Sequence, residues 1–129
     1  QNYDLGAAPV LVAEFDAEAL VEAAELTFEI DPISNYPAVY EDIAVIVPED
    51  LAEAAVRAAI WQAGGNLLKR VQLFDLYRGN QTGEGKKSLA YQLTYQAYDR
   101  TLSDKDAETV RNRIVRGLGR EFGAVLRSA

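Results

Sequence analysis

The 129-residue sequence contains no cysteine, no histidine and no methionine. Without cysteine the chain can form neither a disulfide framework nor a thiolate metal site. Without histidine, Ser-His-Asp catalysis, Cys-His catalysis and histidine-ligated metals are excluded as well. Carboxylates and lysines remain, but their spacing does not set any of them apart as a catalytic group. We therefore expect no catalytic site, metal or cofactor in this chain.

Methionine is missing even at position 1, and we expect the chain to be part of a longer polypeptide. No apolar run is long enough to span a bilayer, and the first residues lack the pattern of a signal peptide. These observations predict a cytoplasmic protein that makes no contact with a membrane. The length predicts one domain, which we place at residues 31–129 after an N-terminal extension at 1–30.

Positive charge is missing from the first 56 residues, which hold thirteen acidic residues and no lysine or arginine. Residues 57–129 hold seven acidic and thirteen basic residues, so the two parts carry −13 and +6, which add to the net −7. This asymmetry favours a polyanionic partner for the basic part. The alternative is that these charges belong to an ordinary solvated surface.

A hairpin at residues 71–95 organises the rest of the chain. Two apolar runs flank a loop that contains three glycines and ends in Lys86-Lys87, a pattern typical of a β-hairpin with a long loop. In the second run, leucine and tyrosine alternate with small or polar residues, so one face is predicted to be apolar and the other flat and polar. The first run changes parity between Leu73 and Phe74, which predicts a β-bulge near Leu73. Beyond the bulge we expect Phe74 and Leu76 to face the core, and Asp75 and Tyr77 to face outward.

The whole pattern predicts an α+β fold. From residue 38 the element order is β-α-β-β-α-β, the ferredoxin-like sandwich, with a four-stranded antiparallel sheet and two helices on one face. The predicted strands are Val10–Phe15, Leu26–Ile30, Ala38–Pro48, Leu67–Tyr77, Ser88–Ala97 and Ala124–Arg127. The predicted helices follow Asp16, Pro48 and Ser103 as N-terminal signals. The second is expected to bury Leu51, Ala55, Ala58 and Ala59, flanked by Val56, Ile60 and Ala63, and the third Ala107, Val110, Ile114 and Leu118.

The other face of the sheet is expected to be open. Alternation places on it Asp42, Ala44, Ile46, Asp75, Tyr77, Ser88, Ala90, Gln92 and Thr94. The two alanines leave room for a flat ring, Tyr77 offers a stacking surface, and Asp75 can accept hydrogen bonds from the N1–H and N2–H₂ edge of a guanine. Ser88 can donate or accept, and Arg78, Lys86 and Lys87 can reach phosphates. Each residue also has a structural explanation: Tyr77 as a strand-edge tyrosine, Asp75 as a solubilising carboxylate, and Lys86-Lys87 as a loop charge pair.

Four segments together resemble a known family. The runs YPAVYEDIAVIVP at 36–48, FDLYRG at 74–79, GEGKKSLAYQLTYQAYDRTLSD at 83–104 and FGAVLR at 122–127 resemble the C-terminal anticodon-binding domain of the bacterial phenylalanyl-tRNA synthetase β subunit. The resemblance covers about residues 25–129, and APVLVAEFDAEAL at 8–20 looks like the end of the preceding module.

The resemblance implies that the chain binds the anticodon stem-loop of the phenylalanine tRNA. In the family pattern the residues around the first anticodon base, a guanine, match Ala44, Asp75, Tyr77 and Ser88. Many relatives have arginine where this chain has Glu41, so a phosphate contact is not expected there. The parent enzyme would be a ligase of two α and two β subunits that uses ATP and Mg²⁺, while this fragment is expected to be monomeric and to supply only binding energy.

Two other functions are consistent with the sequence. A ferredoxin-like module could dock a protein or a small molecule on the same open sheet. A free-standing acylphosphatase-like enzyme is disfavoured, because its phosphate cradle of arginine and asparagine in the first βα turn is replaced here by Pro48-Glu49-Asp50.

Overall fold

A computed structural model of the chain describes residues 9–24 and 33–127. The chain divides into two compact units, Gln1–Pro32 and Ile33–Ala129, and each is described by itself. None of the helices in the described parts combines the length and apolarity that crossing a membrane requires. The proposed boundary between an extension at 1–30 and a domain at 31–129 stays a prediction.

The described part of the first unit contains one short helix, α1, at Ala17–Ala23. Asp16 caps it, as predicted, because its Oδ1 accepts hydrogen bonds from the N–H groups of Glu18 (2.9 Å) and Ala19 (3.3 Å). The predicted strand Val10–Phe15 is wrong: these residues are irregular and exposed. A strand needs a hydrogen-bonded neighbour, and the described residues provide none there. The predicted strand Leu26–Ile30 lies outside the described residues.

The second unit is a ferredoxin-like α+β sandwich, as predicted. Its sheet has the strand order β2-β3-β1-β4, and β1–β3, β2–β3 and β1–β4 pair antiparallel. The elements are β1 (Val39–Pro48), α2 (Glu53–Gly64), a 3₁₀ turn (Gly65–Leu67), β2 (Leu68–Tyr77), β3 (Lys86–Tyr95), α3 (Asp104–Phe122) and β4 (Val125–Leu126). The second hairpin arm therefore lies two residues closer to the N-terminus than the predicted Ser88–Ala97.

The core lies between one face of the sheet and the two long helices. Strand β1 alternates as predicted, with Ile43, Val45 and Val47 at most 3% exposed. Opposite them β3 buries Leu89, Tyr91, Leu93 and Tyr95 completely. Burying one such apolar side chain contributes roughly 1.5–3 kcal/mol, so this alternation fixes which face of the sheet the helices cover.

Helix α2 begins at Glu53, and the predicted start at Pro48 is wrong. The hairpin loop holds the intervening backbone in a turn: the Glu49 N–H donates to the Gly85 carbonyl (2.9 Å), and the Glu49 carbonyl accepts from the Lys87 ammonium (2.8 Å). The buried residues of the helix are Val56, Ala59, Ile60 and Gly64, whereas Ala58, predicted to be buried, is exposed. Gly65 ends the helix at φ +63°, a region that glycine enters without strain.

Helix α3 follows the sequence prediction closely. The Ser103 side chain accepts from the Asp106 N–H, and the Asp106 carboxylate accepts from the Ser103 N–H, so both halves of the capping box are present. The predicted stripe of Ala107, Val110, Ile114 and Leu118 is buried. Gly123 closes the helix in the left-handed conformation, and the chain then enters β4.

Candidate nucleic-acid interface

Within residues 33–127 the side of the sheet opposite α2 and α3 carries no helix, and we call this side the open face. Strand register defines it, because directly paired residues share a face. Its residues are Tyr40, Asp42, Ala44 and Ile46 of β1, Arg70, Gln72, Asp75 and Tyr77 of β2, and Ser88, Ala90, Gln92 and Thr94 of β3. All nine residues that the sequence placed on this face lie there.

The four residues that the family pattern groups together fall in two neighbouring rows across the sheet. Ala44, Ala90 and Asp75 are aligned in one row, and Ser88 and Tyr77 in the next. Residues two apart on a strand lie about 6.6 Å apart. Ala44, Asp75, Tyr77 and Ser88 are therefore brought together at the hairpin end of the open face, although their binding role stays a prediction.

Phe74 is the extra residue of a β-bulge between Leu73 and Asp75, and the predicted position of that bulge is confirmed. The predicted direction of its side chain is wrong, because Phe74 is 56% exposed and lines a hollow on the open face. Phe74 and Asp75 together oppose the single residue Ala90. Leu76 is aligned with the buried Leu89, but it lies at the sheet edge and is 39% exposed.

The hollow has a volume of about 720 Å³, within the size range of small-ligand sites. Ala44 and Ala90 form its floor, and their small side chains leave the backbone accessible to a flat ring. It is lined by Asp42, Ile43, Ala44, Phe74, Gln81, Ala90 and Arg127. The site thus combines an apolar floor, an exposed aromatic ring, a carboxylate and a guanidinium.

Arg127, like Phe74 and Gln81, lines the hollow but was not predicted to do so from the sequence. Its N–H donates to the Ala44 carbonyl (2.8 Å), its Nη2 donates to Gln81 Oε1 (2.9 Å), and its guanidinium lies 5.2 Å from the centre of the Tyr77 ring. The alternation rule alone could not place it. The pairing of Leu126 with Val45 puts the neighbouring residue on the open face.

Tyr77 is held close to the loop that follows it. A Cβ at Gly79 would lie 2.3 Å from the Tyr77 hydroxyl oxygen, so the ring occupies space that only glycine leaves free. Tyr77 is 36% exposed and is aligned with Ser88. Ser88 is only 2% exposed, so a ligand reaches its side chain only when a neighbouring group moves.

The three basic residues predicted to contact phosphates differ in their exposure and in the bonds that their side chains already form. Lys86 is exposed and forms no side-chain hydrogen bond or ion pair with the described residues. Arg78 is exposed, and its Nε lies 2.8 Å from Glu49 Oε1, an exposed pair that a phosphate can replace at small cost. Lys87 is aligned with Val47 on the helix side and is 8% exposed. Its ammonium is already bound to the Glu49 carbonyl.

Glu41 lies on the helix side of the sheet, beneath the open face. Its Oε1 is 3.4 Å from Nη1 of Arg111. Burial, followed by the charge of Glu41, raises the pKa of the Tyr95 hydroxyl well above its ordinary value. Burial also raises the pKa of Tyr91, whose hydroxyl donates to Glu53 (3.2 Å). Both phenols therefore stay neutral at physiological pH, and neither faces the candidate site.

The described residues contain no cluster of three or more acidic side chains arranged to hold a metal ion. The side chains that lie on the open face offer stacking, hydrogen bonding and charge attraction. These are the interactions by which proteins hold unpaired nucleotides.

The comparisons with known proteins agree with this geometry. The family model of the ferredoxin-fold anticodon binding domain matches residues 34–127. Phenylalanine–tRNA ligase beta subunits are similar to the chain: that of Symbiobacterium thermophilum is 45% identical over 92% of the chain, that of Moorella thermoacetica 45% over 88%, and that of Geobacillus kaustophilus 39% over 98%. The matched regions are 13%, 14% and 16% of the lengths of these proteins. The resemblance inferred from the sequence is confirmed.

Proposed function

The chain belongs to the ferredoxin-fold anticodon-binding domain family, and on this premise we propose that its open face binds the anticodon stem-loop of phenylalanine tRNA. The single observation that carries the proposal is the hollow above Ala44 and Ala90, with Phe74 and Arg127 in its wall. A nucleobase is flat and has polar edges, and this hollow offers a flat floor with polar groups at its margin.

The first anticodon base, a guanine, occupies the hollow in this proposal. Ala44 and Ala90 admit the ring, and Tyr77 or Phe74 stacks on it, which is worth about 1–3 kcal/mol per base. The exposed Asp75 carboxylate, in the same row as Ala90, accepts from the N1–H and N2–H₂ groups of the guanine. A base without these donors leaves Asp75 unsatisfied, so this residue supplies the preference for guanine.

In this proposal the phosphates are bound by basic side chains that are free or whose present ion pairs can be displaced. Lys86 and Arg78 are exposed, and they flank the loop beside the hollow. Arg127 is half-buried but carries a positive charge at the hollow itself. Lys87 contributes through structure: its bond to Glu49 fixes the turn that precedes α2. We expect few phosphate contacts and hence weak, salt-dependent binding.

The whole polypeptide, in this proposal, is the β subunit of a phenylalanine–tRNA ligase with two α and two β subunits in the cytoplasm. ATP and Mg²⁺ serve that enzyme in parts of the assembly other than this domain. The names of the relatives support this assignment. The domain itself contributes binding energy and the position of the tRNA.

The test is the affinity of the 129-residue chain for a fluorescein-labelled phenylalanine anticodon hairpin, measured by anisotropy. We expect Tyr77→Ala and Asp75→Ala each to cost about 1–3 kcal/mol of binding free energy. Trp61→Ala, at an exposed aromatic residue of α2, is the matched control and should bind as the parent does. Binding of both site variants at parental strength would refute the assignment.

A second RNA tests whether Asp75 supplies the preference for guanine. When adenine replaces the first anticodon guanine, the parent chain should lose affinity, and Asp75→Asn should lose most of that discrimination. Asp104→Asn, at an exposed carboxylate in the first turn of α3, should keep it.

Protein docking on the same sheet is the second candidate, favoured by the exposed apolar side chains of Phe74 and Leu76 on the edge strand β2. Absence of hairpin binding, together with a homodimer in sedimentation that Phe74→Ser disrupts, would favour it over RNA binding.

A further inference from the structure

A second group of aromatic and basic side chains lies at the end of the sheet away from the β-hairpin loop. A second register shift lies between Leu68 and Arg70, so Lys69 is an extra residue there, as Phe74 is at the other end. Arg70, Thr94 and Tyr40 are aligned in one row across β2, β3 and β1. We call Tyr40, Lys69, Arg70 and Tyr98 the far-end cluster.

The far-end cluster combines exposed rings with cations. Tyr40 is 66% and Tyr98 46% exposed, and the Lys69 ammonium lies 4.4 Å from the centre of the Tyr98 ring. Arg70 is exposed, and within residues 33–127 neither Lys69 nor Arg70 forms an ion pair. Aromatic faces beside unpaired cations are the combination that holds single-stranded nucleic acid, because bases stack while the backbone is neutralised.

The cluster is continuous with the hollow. Thr94 lies six positions after Ser88 on β3, which is about 20 Å along the strand. The row between the two sites is polar, consisting of Asp42, Gln92 and Gln72. At this end of the face the unpaired cations Lys69 and Arg70 lie on the edge strand β2 and the Tyr40 ring lies on β1, so an RNA strand bound here places its phosphates along β2 and its bases toward β1.

We propose that the far-end cluster is a second RNA subsite, in which Tyr40 stacks on a base and Arg70 binds a phosphate of the strand that continues from the hollow. This proposal rests on the function proposed above, since it needs the same RNA on the same face. A carboxylate-rich peptide would satisfy the two cations but would leave the exposed ring of Tyr40 without a stacking partner. In this proposal the hollow recognises one base, and the far-end cluster binds a second part of the same RNA.

The test uses the 129-residue chain, the labelled anticodon hairpin and a series of salt concentrations. We expect Tyr40→Ala to weaken binding about fivefold or more, the lower end of the loss of one stacked base, and Tyr40→Phe to preserve it. Arg70→Gln should weaken binding and reduce the slope of log K against log salt by about 0.7, the value for one single-strand phosphate. Arg120→Gln removes an exposed charge from α3 and should leave the slope unchanged.

Tyr77→Ala separates failure of this inference from failure of the proposed function. If Tyr77→Ala weakens binding while Tyr40→Ala and Arg70→Gln bind as the parent does, the second subsite is refuted and the hollow stands. If the parent chain does not bind the hairpin at all, both proposals fall. If Tyr40→Phe loses as much affinity as Tyr40→Ala, the hydroxyl and not the ring is responsible, and the stacking role is wrong.

Discussion

Two glycines on the facing helices give a stability test in which the same substitution should have opposite effects. Gly64 is the last residue of α2 and is buried, whereas Gly117 lies inside α3 and is half-buried. Alanine in a helix is favoured over glycine by about 0.5–1 kcal/mol, because the unfolded chain loses less conformational freedom. Whether this gain is realised depends on what the new methyl group meets.

At Gly64 the new Cβ meets the core. It would lie 2.2 Å from Leu68 Cδ2 and 2.7 Å from Leu68 Cβ. Rotating the leucine can relieve the first contact but not the second, since the Cβ is fixed to the backbone. Leu68 is 3% exposed, so the backbone must shift within a packed core, at a cost of about 1–3 kcal/mol. The net effect of Gly64→Ala is destabilisation by up to about 2 kcal/mol.

At Gly117 the new Cβ would lie 3.6 Å from the Ala63 Cβ, an ordinary van der Waals contact. Gly117→Ala should therefore stabilise the domain by about 0.5–1 kcal/mol. Urea unfolding followed by far-UV circular dichroism measures both variants. If Gly64→Ala were as stable as Gly117→Ala, the close packing of the α2 end on β2 would be refuted.

Three further predictions concern the α3 cap and the β-hairpin loop. Ser103→Ala should lower the free energy of unfolding by about 0.5–2 kcal/mol, measured by urea unfolding at pH 7. Hydrogen bonds from the Ser103 N–H and hydroxyl, followed by Arg100, lower the pKa of Asp106, so its contribution is present above the ordinary carboxyl pKa and is lost as the pH falls through the lowered value. The stability difference between the parent and Asp106→Asn should accordingly shrink below about pH 4, and a constant difference would contradict the cap. Gly79→Ala should displace the Tyr77 ring. The variant should then bind the anticodon RNA hairpin about as weakly as Tyr77→Ala does, with little change in the urea midpoint. Parental affinity would show that the position of the ring is unimportant.

Local rules explain the elements that the sequence predicted well. The alternation of β1 identified Ile43, Val45 and Val47 as core residues, because successive side chains on a strand must point to opposite sides. The Ser103–Asp106 capping box and the spacing of the α3 stripe located that helix, since both depend on residues within a few positions of one another. Ala44, Asp75, Tyr77 and Ser88 were placed on one face by the same reasoning.

The predictions that were wrong concern features that depend on contacts between residues far apart in the sequence. Pro48 is a good helix start by itself, but Glu49 is held in a turn by the hydrogen bonds that it donates to Gly85 and accepts from Lys87, so α2 begins only at Glu53. A change of parity predicts that a bulge exists, yet only the pairing with Ala90 shows that Phe74 is the extra residue and lies on the open face.

Within residues 33–127 the sequence by itself determined the element order, the core faces of β1 and β3 and the identity of the family, because these depend on local periodicity and on residue types in fixed spacing. The tertiary structure alone decided that Arg127 joins the hollow, that Lys87 is bound to the Glu49 carbonyl and that a second register shift makes Lys69 an extra residue beside Arg70. Each of these follows from the register between strands far apart in sequence, which forms only when the sheet is assembled.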